Sequence, residues 1–271
     1  MGFFKALFLG ILQGLTEFLP VSSSGHLKLA EYYLKVSEST GGSFDVFVHL
    51  GTLVAVMIYF RSTLWDMIQA LMVWKPQVNQ QKHRHNRLLI VYLIISTLVT
   101  GIIYLIFKDT LDSLFTNAKP MFVAFMLLIT GVLLFISDYI KSTPIPAFSM
   151  GFIRSVIIGL GQGIAIIPGI SRSGTTIAVS LMCGVKRKDA AHYSFLLSIP
   201  AIIAANLSVF KDIKALDKHM IFSYFVGFIA SAIAGYAVIA LLMNLIRQNK
   251  LKYFAFYCWA VGLIVILISV L

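Results

Sequence analysis

The sequence predicts an all-α polytopic membrane protein built from two inverted-topology repeats, each a re-entrant helical hairpin plus three transmembrane helices. Three observations predict it. The 271-residue chain is 59% hydrophobic and only 12% charged; it carries six nearly uncharged stretches of membrane-spanning length; and one motif returns at an offset of 149 residues. Soluble domains carry about 25% charged residues, and a soluble core of this size hides far less apolar surface than this chain supplies. A water-soluble globule is excluded.

The first apolar stretch, Ala6 to Leu19, is too short to cross and runs into a cluster of Pro, Ser and Gly, which predicts a re-entrant half-helix. The opening MGFFKALFLGILQG lacks a small-residue cleavage site and is read as retained. Val46 to Phe60 is a short span interrupted by His49, which suits a helix facing the protein interior. Ser62 to Arg87, with Trp65, Trp74 and a KHRHNR cluster, is read as an interfacial amphipathic helix plus a basic tether to anionic lipid. Leu88 to Phe107 and Pro120 to Ile140 are each long enough for about 30 Å of hydrocarbon at about 1.5 Å per residue, and complete repeat one, residues 1–141. Repeat two, residues 150–271, opens on the half-helix Ser155 to Ile167 and continues through Tyr193 to Phe210, Met220 to Ile246 and Tyr253 to Leu271. Together the repeats form a single integral membrane domain.

At the offset of 149, GILQGLTEFLPVSSSG (Gly10 to Gly25) aligns with GLGQGIAIIPGISRSG (Gly159 to Gly174). The identical pairs are Gly10 and Gly159, Gln13 and Gln162, Gly14 and Gly163, Ser22 and Ser171, Ser24 and Ser173, and Gly25 and Gly174. Lipid-facing composition does not supply Gly, Gln and Ser in order, so the match reads as a duplication. Three crossings per repeat turn the second copy upside down. With both termini outside, Lys and Arg of the 61–87, 141–154, 186–188 and 247–252 segments fall inside and outnumber those outside, as the positive-inside rule asks. The formal charge of +11 is therefore read as topology, not nucleic-acid binding, because no basic run carries the aromatic interleaving of a single-strand binder.

Function is sought at the two turns, since irregular backbone at membrane depth is tolerated only where it is buried in protein or lines a polar cavity. The first turn, TEFLPVSSSGH, concentrates Glu17, Ser22, Ser23, Ser24 and His26, groups that are expensive to bury without a purpose. The second, PGISRSGTT, supplies Arg172, the hydroxyls of Ser171, Ser173 and Thr176, and Gly174 at the start of a half-helix, which is how a phosphate cradle is built. If the repeats pack face to face, the turns meet near the midplane and join acid, base, hydroxyl and cation. Gln13 lies one helical turn before Glu17, so both share a face and can hold a divalent cation, a reasonable role if a diphosphate must be neutralised. Asp45 and His49 are read as interior positions, because Ser194 and Ser198 align with them in the second repeat.

The strings QGLTEFLPVSSSGH and PGISRSGTT resemble the two signatures of the bacterial undecaprenyl-diphosphate phosphatases, also called bacitracin-resistance proteins, and the likeness spans the chain. The resemblance implies hydrolysis of a C55 isoprenyl diphosphate to the monophosphate carrier and inorganic phosphate, recycling the carrier for cell-wall polymer synthesis. It implies a multi-pass protein of the cytoplasmic membrane, a site opening toward the outer face, dependence on Mg²⁺ or Ca²⁺, and bacitracin acting indirectly by sequestering the substrate; a homodimer is left open. On the matching positions, Gln13 and Glu17 are the metal-associated pair, Ser23 or His26 the nucleophile or its activating base, Arg172 the clamp on the diphosphate, and Ser171, Ser173, Gly174 and Thr176 the rest of the phosphate site. Attack by Ser23, by His26 or by activated water all remain open at this point. Because inverted repeats with broken helices are also transporter architecture, the alternative is a secondary transporter or flippase for a phosphate-bearing lipid or solute.

Overall fold

The computed structural model describes the chain apart from residues 37, 74–78, 141–143, 211–219 and 248–249, and apart from the side chains at 38–41, 208–210 and 247. The helices run α1 (Phe3–Phe18), α2 (Ser23–Tyr33), α3 (Glu38–Tyr59), α4 (Arg61–Met72), α5 (Gln80–Ile106), α6 (Lys108–Asn117), α7 (Pro120–Asp138), α8 (Gly151–Ile164), α9 (Arg172–Met182), α10 (Arg187–Phe210), α11 (Ile221–Arg247) and α12 (Leu251–Val270). Among the described residues, six of them are long and apolar enough to cross a bilayer: Gly42–Tyr59, Gln80–Ile106, Pro120–Asp138, Arg187–Leu207, Ile221–Ile246 and Leu251–Val270. These are the six expected spans, and the chain is a multi-pass α-helical membrane protein. The two spans with polar interruptions, α3 and α10, are the most buried, while α5 and α12 turn most of their apolar surface outward. That division follows from composition, since His49 or Asn206 facing lipid would lack hydrogen-bond partners.

Two helical hairpins, α1–α2 and α8–α9, are inserted among the spans, and each lies against the opposite half of the chain. Helix α1 packs along α11, and α8 along α5. Glycine makes both seams close. A Cβ added at Gly10 would meet Gly227 O at 2.5 Å and one at Gly14 would meet Ser231 O at 2.6 Å, while one at Gly159 would meet Ser96 O at 2.7 Å. Small residues at such crossings let backbones approach and recover dispersion contact that lipid alone does not supply. Gly14→Val should therefore push α1 off α11, lowering the thermal midpoint in detergent by the equivalent of about 1–3 kcal/mol. An unchanged midpoint would show that the seam yields without strain.

The hairpins are braced alike. Lys5 Nζ donates to Leu34 O at 2.8 Å, and Arg154 Nε to Cys183 O at 3.0 Å, each tying the open ends of its hairpin together. Ser22 Oγ accepts from Gly25 N at 3.2 Å to cap α2, and Ser171 Oγ accepts from Gly174 N at 3.0 Å to cap α9. Every pair of counterparts is separated by the sequence offset of 149.

One feature differs from expectation. Lys82, His83, Arg84, His85 and Arg87 belong to the first turns of α5, continuous with the span, and not to a tether separate from it; Trp74 and Lys75 lie outside the described residues. The helix extends this far because α4 and α5 hold each other. Lys82 Nζ pairs with Asp66 at 2.8 Å, Arg87 donates to the carbonyls of Ala70 and Val73 at the C-terminal end of α4, and the His85 ring stacks on Phe148 at 3.6 Å. Between α5 and α7 the chain also forms α6, a short helix with mostly exposed residues.

Candidate active site

The two hairpin tips touch. A Cβ at Gly25 would come within 3.0 Å of Gly169 Cα, and one at Gly174 within 3.3 Å of Pro20 Cβ. These contacts are reciprocal, because Gly174 is the repeat counterpart of Gly25 and Gly169 that of Pro20. Gly169 has φ +96°, where glycine pays no Cβ penalty, and its carbonyl accepts from Thr130 Oγ1 on α7 at 3.1 Å. Ser22 has φ +71° without being glycine, a conformation that costs about 1–3 kcal/mol and persists only where the surroundings enforce it.

Glu17 stands at the centre, 6% exposed on the last turn of α1. Its Oε1 accepts from Arg172 Nη2 at 2.5 Å, across 155 residues of sequence. Oε2 accepts from Ser23 Oγ at 2.6 Å and from Gln13 Nε2 at 2.8 Å. His49 Nε2 lies 3.8 Å from the same oxygen. A buried carboxylate with a cation and two donors has the compensation that desolvation demands. Arg172 opens α9, and its Nη1 donates to Ser194 O on α10 at 3.4 Å, so the guanidinium spans both halves of the molecule.

The expected joint site of Glu17, Ser23 and Arg172 is thus assembled, with Gln13 beside it. Gln13 Oε1 is buried without a hydrogen-bond partner and adjoins the carboxylate, an oxygen pair of the hard donor type that suits Mg²⁺ or Ca²⁺. His26 is placed elsewhere: Nδ1 contacts Ser22 O at 2.8 Å and Nε2 contacts the Tyr257 hydroxyl at 2.9 Å, so the ring faces α12 and not Ser23. Ser171, Ser173 and Thr176 line the tip but use their hydroxyls internally. Ser171 caps α9 and shares a 3.3 Å contact with Ser173 Oγ; Ser173 donates to Leu19 O at 3.0 Å; and Thr176 Oγ1 lies 2.9 Å from Arg172 O and 2.6 Å from Ser194 Oγ. Gly174 gives its N–H to the cap, leaving the amides of Ser23, Ser24, Arg172 and Ser173 as the first-turn groups without an intrahelical acceptor.

Sequence reasoning underrated His49. Its signal is an imidazole in an interior span, one turn after Asp45, whose carbonyl accepts from Nδ1 at 2.7 Å. Tyr257 gave no signal at all, being an ordinary aromatic in the last span, 231 residues from the ring it contacts.

Relatives match the chain from end to end. The chain is 41% identical to the undecaprenyl-diphosphatase of Methanobrevibacter smithii, covering 100% of this chain and 99% of that protein. It is 41% identical to the undecaprenyl-diphosphatase of Halothermothrix orenii over 99% of both, and 39% identical to that of Treponema denticola over 97% and 96%. The family model described as bacitracin resistance protein BacA matches residues 6–264. This chain belongs to the BacA family. Both hairpin tips, and therefore every residue of the Glu17–Arg172 cluster, lie within the BacA match.

Proposed function

We propose that this BacA-family protein hydrolyses undecaprenyl diphosphate to undecaprenyl phosphate and inorganic phosphate, recycling the lipid carrier of cell-wall polymer synthesis. The single observation that carries this reading is a serine hydroxyl donating to a buried carboxylate that is itself held by arginine. Ser23 Oγ attacks the terminal phosphorus and its proton passes to Glu17 Oε2; the bridging P–O bond breaks and undecaprenyl phosphate leaves. The Glu17 proton leaves with the departing undecaprenyl phosphate; water then attacks the phosphoserine, giving its proton to Glu17, which returns it to Ser23 Oγ as the serine–phosphate bond breaks and phosphate is released. Arg172 and the first-turn amides of α2 and α9 hold the diphosphate and the charge that develops on it. Gln13 and Glu17 would hold a divalent cation, whose contribution when bound is to neutralise diphosphate charge.

The hairpins are re-entrant and the two halves are inverted repeats with both termini outside. Three observations support this: the reciprocal tip contacts, the exchanged seams of α1 on α11 and α8 on α5, and the equivalent braces from Lys5 and Arg154. Contacts between Arg187 and Asp138, between Lys252 N and Asp138, and between Arg154 and Cys183 gather basic segments at one end, which the positive-inside rule makes cytoplasmic. We further propose that the site opens toward the outer face, as the resemblance implies. Lys141, Lys211, Lys214, Lys218, Asp212, Asp217 and His219 lie outside the described residues.

The test is phosphate release from C55 diphosphate by purified protein in detergent, where no second compartment exists and transport cannot contribute. Wild type should turn over, Ser23→Ala should not, and rapid acid quench should trap phosphate on Ser23. A turnover-competent Ser23→Ala would transfer the nucleophile's role to water.

A further inference from the structure

We propose that Tyr257 and His26 form a positioning clamp for Ser23 and take no proton in the reaction; the role rests on the hydrolase reading above. A backbone carbonyl only accepts, so the 2.8 Å contact to Ser22 O assigns the ring proton of neutral His26 to Nδ1. Nε2 is then an acceptor, and the Tyr257 hydroxyl 2.9 Å away donates to it. The two rings are stacked, with centroids 5.6 Å apart and planes 11° from parallel, which fixes the imidazole against rotation. His26 is 7% exposed and Tyr257 44%, so the clamp runs from the buried tip to the outer surface of α12.

What it holds is Ser22. That residue keeps φ +71°, caps α2 through its hydroxyl, and gives its carbonyl both to the His26 backbone N–H at 3.1 Å and to the His26 ring. Ser23 follows directly, and its 2.6 Å bond to Glu17 depends on where Ser22 points it. Relaxation of Ser22 to an ordinary conformation would swing the Ser23 hydroxyl away from the carboxylate. Both ring nitrogens of His26 are engaged away from Ser23 and Glu17, which leaves Glu17 as the group that receives the proton.

The experiment compares initial rates of wild type, Tyr257→Phe, His26→Asn, His26→Phe and the Asn–Phe double variant on C55 diphosphate, over substrate concentration and pH. Asparagine keeps a donor close to where Nδ1–H lies; phenylalanine removes it. His26→Phe should lower kcat by about a hundredfold at unchanged KM, the cost of misplacing a reacting group. His26→Asn should recover at least about tenfold of that loss and keep the wild-type pH profile, and Tyr257→Phe should lose about three- to tenfold, the worth of one hydrogen bond. The double variant should be no slower than His26→Asn alone, because Tyr257 acts only through the ring. His26→Asn as inactive as His26→Phe while equally stable, or a lost limb in its pH profile, overturns the clamp in favour of proton transfer by His26. Wild-type kcat in Tyr257→Phe removes Tyr257 from it. Nitrogen-15 chemical shifts of His26 test the clamp apart from turnover: an Nε2–H tautomer overturns it, whereas absence of wild-type phosphate release with the Nδ1–H tautomer present overturns only the hydrolase reading.

Discussion

Glu17→Gln is expected to lower the rate of phosphate release by about a thousandfold, within the range that a positioned acid–base group supplies. The amide is nearly isosteric and still accepts from Arg172 at Oε1, but the NH2 that replaces Oε2 cannot accept from Ser23 or Gln13, and the carboxylate charge disappears. Three consequences arrive together: the Ser23 hydroxyl loses its base, Arg172 loses its counter-ion, and a cation held with Gln13 loses its charged ligand. Steady-state kinetics distinguish them. Loss of the base lowers kcat with KM little changed, whereas loss of the cation site raises the divalent-ion concentration needed for half-maximal rate. A Glu17→Gln enzyme within tenfold of wild type would assign base catalysis to another group, and His49, 3.8 Å from the same oxygen, would be the first to test.

Arg172→Ala should be more damaging to the molecule as a whole. The guanidinium is the ion-pair partner of a carboxylate whose side chain is 5% exposed. Removing one member of a buried pair strands the other, at about 3–5 kcal/mol. Activity should fall by a further factor of about 10²–10³, the usual loss when a preorganised donor to developing charge is deleted. The double variant Arg172→Ala, Glu17→Gln separates the effects, since neutralising the stranded carboxylate should restore most of the thermal midpoint and none of the turnover. Failure of the second substitution to restore stability would mean that Gln13 and Ser23 alone compensate the Glu17 charge. Arg172→Lys keeps the charge but not the planar fork, and a lysine ammonium cannot contact Glu17 and Ser194 O together, so it should remain well below wild type.

Much of this arrangement is legible in the sequence, for identifiable reasons. The six spans are written in apolar length. The hairpin tips are written in the clash between short apolar runs and the Pro, Ser and Gly that interrupt them, and their meeting in the 149-residue repeat. The pairing of Glu17 with Arg172 follows once both tips are placed at one depth, because neither charge is tolerable there alone. What periodicity and composition do not encode is side-chain direction around an irregular turn. Ser23 and His26 are three residues apart in α2, which by helix geometry invites a shared role, yet one faces Glu17 and the other α12. The hydroxyls of Ser171, Ser173 and Thr176 illustrate the same limit: their abundance suggests phosphate ligands, while the fold engages them in capping and bracing. The basic run at Lys82–Arg87 looks solvated, and only its contacts with α4 and Phe148 explain why it is helical.

The exchange of seams between the halves also constrains how the chain is made. Helix α1 is made well before its long partner α11, which begins at Ile221, and before its counter-charge at Arg172. Until then the hairpin can meet only its first-half neighbours α3 and α7, and the donors to Glu17 are the local Gln13 and Ser23. Assembly of the two hairpin tips is therefore a late, long-range event gated by completion of the C-terminal half, and contacts of such large sequence separation are the slow ones to form. The Gln13 amide, one turn away on the same helix, then has a second duty as the nascent carboxylate's interim chaperone.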